Sequence, residues 1–272
     1  MRRPVRLCAL AAVCLWSALA WAAEPATRPV RVAMYDGAGV SGAGPGKIEA
    51  ALSALGDMAL RRVGAAEIQS GVLRDFDVLI VPGGSGSKQA AAMGDGGRAE
   101  VRKFVEGGGG YVGICGGCFL STSHYKWSLG VINAKVLDTK HWARGKADLQ
   151  IELTPLGKEI LGNQAQTVTV KYHNGPILAS GEASGPGAAG VFEPLAYFRT
   201  EVTPKGAEKG VMVNTPAMVA GRCGKGRVIS ISPHPEQTAG LEEFVPRAVR
   251  WTAGRAVTGP SAAGAVGGSG LR

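Results

Sequence analysis

A strand that runs into a cysteine between glycines constrains this chain most: Gly110-Tyr111-Val112-Gly113-Ile114-Cys115-Gly116-Gly117-Cys118-Phe119-Leu120. The apolar run 111–114 reads as a buried strand, and the residues after Cys115 can start a helix. A reactive side chain on a sharp strand-to-helix turn needs small neighbours, so that other backbone can come close. The N-terminus of the following helix favours a thiolate there, through its free N–H groups and its dipole. A glycine-lined cysteine that merely packs is the competing reading.

A thiol nucleophile needs a base, and the base needs an acceptor to orient it. Both stand at the end of a distant apolar run, Val228-Ile229-Ser230-Ile231-Ser232-Pro233-His234-Pro235-Glu236. In a parallel α/β sheet the C-terminal ends of the strands share one edge, where residues far apart in sequence meet. The sequence therefore predicts Cys115 as nucleophile, His234 as general base and acid, and Glu236 as the carboxylate that fixes the imidazole.

Gly113-Ile114-Cys115-Gly116-Gly117 followed by His234-Pro235-Glu236 resembles the class I glutamine amidotransferase superfamily. The most similar branch is the one named for the N-terminal domain of biotin–protein ligases. The segments that suggest this branch are Val32-Ala33-Met34-Tyr35-Asp36-Gly37, Val81-Pro82-Gly83-Gly84-Ser85-Gly86, Tyr111 to Cys115, and Ser232 to Glu236. The resemblance runs over about residues 30–251. It implies a flavodoxin-like three-layer α/β sandwich with a mostly parallel central sheet, and glutamine as a substrate.

Elsewhere strand and helix signals alternate, as parallel βαβ units require. Residues 30–35 read as a strand ending at Asp36-Gly37, a turn at the sheet edge where sites form. Residues 48–55 carry a helical stripe. Lys47 is followed by Ile48, so the glycine-rich loop 42–46 is not a phosphate-binding P-loop. Residues 58–63 form a second strand and 65–72 a short helix or loop. A third strand, 76–81, runs into Pro82-Gly83-Gly84-Ser85. Glycines there allow N–H groups to face a substrate oxygen, and with the Gly116 N–H they form an oxyanion hole. A plain tight turn is the alternative, and the resemblance favours the hole with Gly84 as second donor. Ser85 is a substrate-binding candidate.

Residues 98–105 predict a helix capped by the glycines at 107–110. The loop Lys140-His141-Trp142-Ala143-Arg144-Gly145 offers an aromatic ring, a histidine and an arginine to a ligand, or a solvated turn. Strands are expected at 149–153, 166–172, 195–200 and 210–213. The second of these leads to His173 and Asn174, which the resemblance implies lie near the site. A zinc site from His124, His141 and His173 has no ligand pair at metal spacing, and no metal or other cofactor is expected. Residues 217–221 and 227–232 predict a hairpin that presents His234. Residues 241–251 form a closing helix.

The ends carry an address. Arg2, Arg3 and Arg6, an apolar core at 7–19, and Ala20-Trp21-Ala22-Ala23 read as a cleaved signal peptide over residues 1–23. Residues 24–29 are a leader, 30–252 one domain, and 253–272 a Gly/Ala/Ser-rich tail. An exported, periplasmic protein that does not span the membrane after cleavage is expected. Losing three arginines and no acids takes the net charge from +9 to +6. Without a dense basic run, zinc-finger spacing or RNP-like strand, nucleic-acid binding is not indicated. Cys115, Cys118 and Cys223 remain, an odd number unlike a disulfide framework.

The function expected is thiol-dependent hydrolysis or amidotransferase-like transfer on a small amide, peptide or ester. A non-catalytic envelope module that holds a ligand in the same cleft is the alternative. Cys115-Gly116-Gly117-Cys118 also offers Cys118 as a redox partner, whose disulfide would block the nucleophile. A buried, inert Cys118 is the other outcome.

Overall fold

Four apolar runs explain the centre of the molecule. The computed structural model describes residues 28–182 and 189–257. The expected signal segment and most of the tail lie outside the described residues. Strands β1 (Val30–Tyr35), β3 (Val78–Val81), β4 (Gly110–Ile114) and β11 (Gly226–Ile231) pair in parallel, with β2 (Met58–Val63) outside β1. The order β2-β1-β3-β4-β11 is that of a flavodoxin-like sheet.

The strands are apolar at successive positions because both sheet faces are covered. Val78 and Ile80 join one core with Ile48 and Leu52 of α1 (Gly44–Ser53) and Val245 and Val249 of α6 (Phe244–Thr252). Leu79 and Val81 join a second core with Ile68 of α2 (Ala65–Gln69), Met93 and Val101 of α3 (Gly86–Glu106) and Leu120 of α4 (Gly116–Ser121). Each fully buried aliphatic side chain contributes about 1.5–3 kcal/mol. The result is the expected three-layer α/β architecture.

The sheet continues through four antiparallel strands, β10 (Pro216–Cys223), β9 (Glu193–Phe198), β6 (Lys146–Leu153) and β7 (Thr167–His173), nine strands in all. In β6, Leu149, Ile151 and Leu153 are buried while their alternate neighbours are not, since only one face is packed. Helix α5 (Pro155–Leu161) starts at a Thr154 cap, and β5 (Ala134–Leu137) pairs with β8 (Ile177–Ser180) as a separate ribbon. Among the described residues no helix is long and apolar enough to cross a membrane.

One expectation is corrected. Residues 210–213 form a turn, not a strand. Gly210 and Asn214 both take positive φ, so the chain reverses on either side of the buried Met212.

An ion cluster fastens the first strand. Asp77 accepts from the Arg28 guanidinium at 2.5 and 2.7 Å, and from the Arg31 N–H and guanidinium at 2.9 and 3.1 Å. Burial alone would raise its carboxyl, but the two arginines outweigh it and hold the group well below the usual carboxylate range. A depressed carboxyl stabilises the fold above about pH 4 and loses that contribution as pH falls toward its folded value. Asp77→Asn is therefore expected to cost about 1 kcal/mol at neutral pH. The cost should shrink toward pH 2, as urea unfolding midpoints of both proteins would show.

Candidate active site

The turn between β4 and α4 is held open by glycine. Cys115 adopts φ 50°, ψ −98°, a conformation costly for a residue with a Cβ, about 1–3 kcal/mol. Its N–H donates to the Ile231 carbonyl at 2.8 Å, which ties the turn to the end of β11. A Cβ at Gly113 would lie 2.4 Å from the Gly117 carbonyl oxygen, and one at Gly117 would lie 2.0 Å from that of Val81. Only bare backbone allows the strand, the turn and the helix to approach this closely. Cys115 remains 6% exposed, its thiol donating to the His173 carbonyl at 3.3 Å.

His234 follows β11, and its N–H donates to the Lys171 carbonyl at 2.7 Å. The ring Nδ1 lies 2.7 Å from Glu236 Oε1, which leaves Nε2 as the nitrogen available to the sulfur. Both side chains pack over Gly83, where a Cβ would lie 2.9 Å from His234 Cε1 and 3.6 Å from Cys115 Cβ. Burial alone would lower the imidazole. Hydrogen bonding with Cys115 and Glu236, together with their charges, overrides that and raises it to about 10. Glu236 is buried beside the first residue of α1, since a Cβ on Gly44 would lie 3.2 Å from its Oε1. Gln237 Nε2 donates to that same oxygen at 3.0 Å.

Gly84 and Gly116 meet at the mouth of this cluster. A Cβ on Gly116 would lie 2.6 Å from the Gly84 carbonyl oxygen. Gly84 takes φ 141°, and its backbone is held by a bridge to Val40, with the Ser85 N–H on the Gly39 carbonyl at 2.8 Å. Neither glycine N–H donates a hydrogen bond among the described residues. Of the two, Gly84 lines the cavity that holds the sulfur, and Gly116 packs directly behind it.

That cavity measures about 540 Å³ and is lined by Cys115, His173, His234, Gly84 and Ser85 among others. Ser85 caps α3, accepting from the Lys88 N–H. Asn174 lies in the lining but works as a brace: its Oδ1 accepts from the Gly145 N–H at 2.6 Å, and its own N–H donates to the Gly145 carbonyl. The His173 ring stands 6.4 Å from that of His234, and burial, Lys146 and His234 all lower its imidazole.

Three candidates lie elsewhere. Asp36 is exposed and paired with Arg62 at 2.9 Å, outside the lining. His141 bonds Asp138 at 2.6 Å, as does Arg144, so both stiffen the loop while Thr139 and Trp142 face the cavity. Cys118 is fully buried in the second core, and burial, then the nearby Cys115 sulfur, pushes its thiol well up. Cys115, Cys118 and Cys223 are all free thiols. His124 packs edge-on against Tyr125.

Sequence reasoning missed Gln237 and the aromatic wall of Phe119, Tyr125 and Trp127. Gln237 sits on the same short turn as Glu236 and was legible from that adjacency. The aromatic residues fall in and after α4, where no periodic pattern marks a facing direction.

Comparison with known structures shows the fold. A glutamine amidotransferase is 22% identical, with 76% of this chain and 93% of that one covered at a TM-score of 0.51. A ThuA-like protein from Parabacteroides merdae is 10% identical, with 86% and 94% covered at 0.57. A cytoplasmic protein from Salmonella typhimurium is 11% identical, with 82% and 99% covered at 0.54. No curated protein matches the sequence. The family described as "Biotin-protein ligase, N terminal" matches residues 30–250, and with this class I glutamine amidotransferase-like fold the chain belongs to that family.

Proposed function

We propose that this protein is a thiol-dependent hydrolase or acyl-transfer enzyme that acts on a small amide, peptide or ester. One observation carries the reading: Cys115 stands on a strained glycine-packed turn beside an imidazole whose other nitrogen is held by a buried carboxylate. The Cys115 sulfur attacks the carbonyl carbon and forms a C–S bond, while the C=O electron pair moves onto oxygen. The Gly84 and Gly116 N–H groups hold that oxyanion. As it collapses, the C–N or C–O bond breaks and His234 gives its proton to the leaving group. Water, deprotonated by His234, then releases the acid and restores the thiol. Glu236 keeps the ring oriented throughout.

The glutamine amidotransferase neighbour supports carboxamide chemistry. The basic, apolar, small-residue pattern of residues 1–23 supports an exported enzyme. The deciding experiment compares native protein with Cys115→Ser on a panel of amides and esters. Turnover by the native protein and none by the variant is expected. Equal rates for both would remove this reading, and saturable binding without turnover by either would replace it with a ligand-holding module.

A further inference from the structure

The lining of the cavity narrows what can reach Cys115. Among the described residues, no Asp, Glu, Lys or Arg borders it. Its two imidazoles are His173 and His234, and the His234 ring already faces Glu236. A free amino acid such as glutamine brings an ammonium and a carboxylate, and stripping water from both without a charged partner is costly. The volume, about 540 Å³, lies within the range that holds drug-sized ligands and greatly exceeds a carboxamide side chain.

One wall is aromatic. The Tyr125 and Trp127 rings stack with centroids 4.6 Å apart and planes 6° apart, and Phe119 stands 6.5 Å from Tyr125. Trp127 reaches the start of α3, where a Cβ on Gly86 would lie 3.3 Å from its ring and 2.7 Å from the Gly116 carbonyl oxygen. The aromatic wall therefore begins next to the Gly84–Gly116 pair. Trp142, on the loop braced by Asn174, borders the same space yet is 56% exposed. A large apolar ring kept at the mouth of a cavity offers surface to a ligand. The rest of the lining is small and neutral, with Ser41, Ser85, Ser87 and Thr139.

Building on the thiol reading above, we propose that the site selects an uncharged amide or ester carrying a planar apolar ring. Its ring stacks against Trp142 and Trp127 while its carbonyl lies over Cys115.

Calorimetric titration of Cys115→Ala protein with N-benzylacetamide, L-glutamine and N-acetylglucosamine tests this directly. N-benzylacetamide should bind saturably, L-glutamine should not, and Trp142→Ala added to the first change should weaken N-benzylacetamide at least tenfold. Absence of N-benzylacetamide binding, equal binding after Trp142→Ala, or tighter binding of either other compound would overturn the proposal. Trp142 is largely exposed, so its removal leaves the core intact.

Alkylation of the native protein separates this proposal from the catalytic one. N-benzylchloroacetamide should label Cys115 at least tenfold faster than chloroacetamide does, after normalisation to glutathione. Retained ring binding with Cys115 no more reactive than Cys223 would support the selectivity and overturn the chemistry alone.

Discussion

His234→Ala is expected to lower turnover of a cleavable amide or ester by a factor on the order of 10⁴, comparable to removing the sulfur. In the proposed mechanism the ring has two separable duties, and the substitution removes both. There it takes the proton from Cys115, and it returns a proton to the leaving group, a step that needs the imidazolium. Burial works against that charge, so its survival depends on Cys115 and Glu236, which raise the imidazole to about 10. A raised folded value stabilises the protein fully below the unfolded value near 6.5 and is lost as pH rises through about 10. The kcat/KM profile should accordingly keep its alkaline limb near pH 10. Glu236→Gln removes the charge beside Nδ1 and leaves at most a neutral amide oxygen as its acceptor, so the same limb should move toward neutrality. A loss below tenfold in His234→Ala, with circular dichroism unchanged, would remove the imidazole from the mechanism.

What the sequence disclosed follows from what local chemistry determines. Val78–Val81 could be read as a central strand because helices on both faces make every position apolar. The two halves of the site were legible for a related reason. Cys115 between glycines and His234 between prolines each mark a special backbone position at a strand end. Orientation was not legible. Asp36 ends β1 as expected, but Arg62 on the neighbouring strand offers a closer partner than the cavity, and strand pairing alone decides that meeting. The first half of α3 was hidden because Gly94, Gly96 and Gly97 dilute its helical signal, and Gly94 does break the helix with φ 61°. His141 stayed open between site and turn because its bond to Asp138 forms only when the loop folds back on itself.

Gly117→Ala should destabilise the protein by about 3 kcal/mol or more, although alanine is the better helix former. The two effects oppose each other, and their sizes decide the sign. Replacing a helical glycine by alanine ordinarily gains about 0.5–1 kcal/mol. At Gly117 the new methyl would lie 2.0 Å from the Val81 carbonyl oxygen and 2.8 Å from its carbon, both backbone atoms of the central sheet. Neither can swing aside as a side-chain tip would, so α4 must lift away from β3. Lifting it would also part Gly116 from Gly84 and release the turn that carries Cys115. Gly46 supplies the internal comparison: it too is helical, in α1, but a Cβ there meets nothing within 4 Å. Gly46→Ala should therefore be neutral or stabilising in the same urea titration. Equal midpoints for the two variants would show that the close approach at Gly117 is dispensable. The tightness of the turn would then have to come from something other than bare backbone.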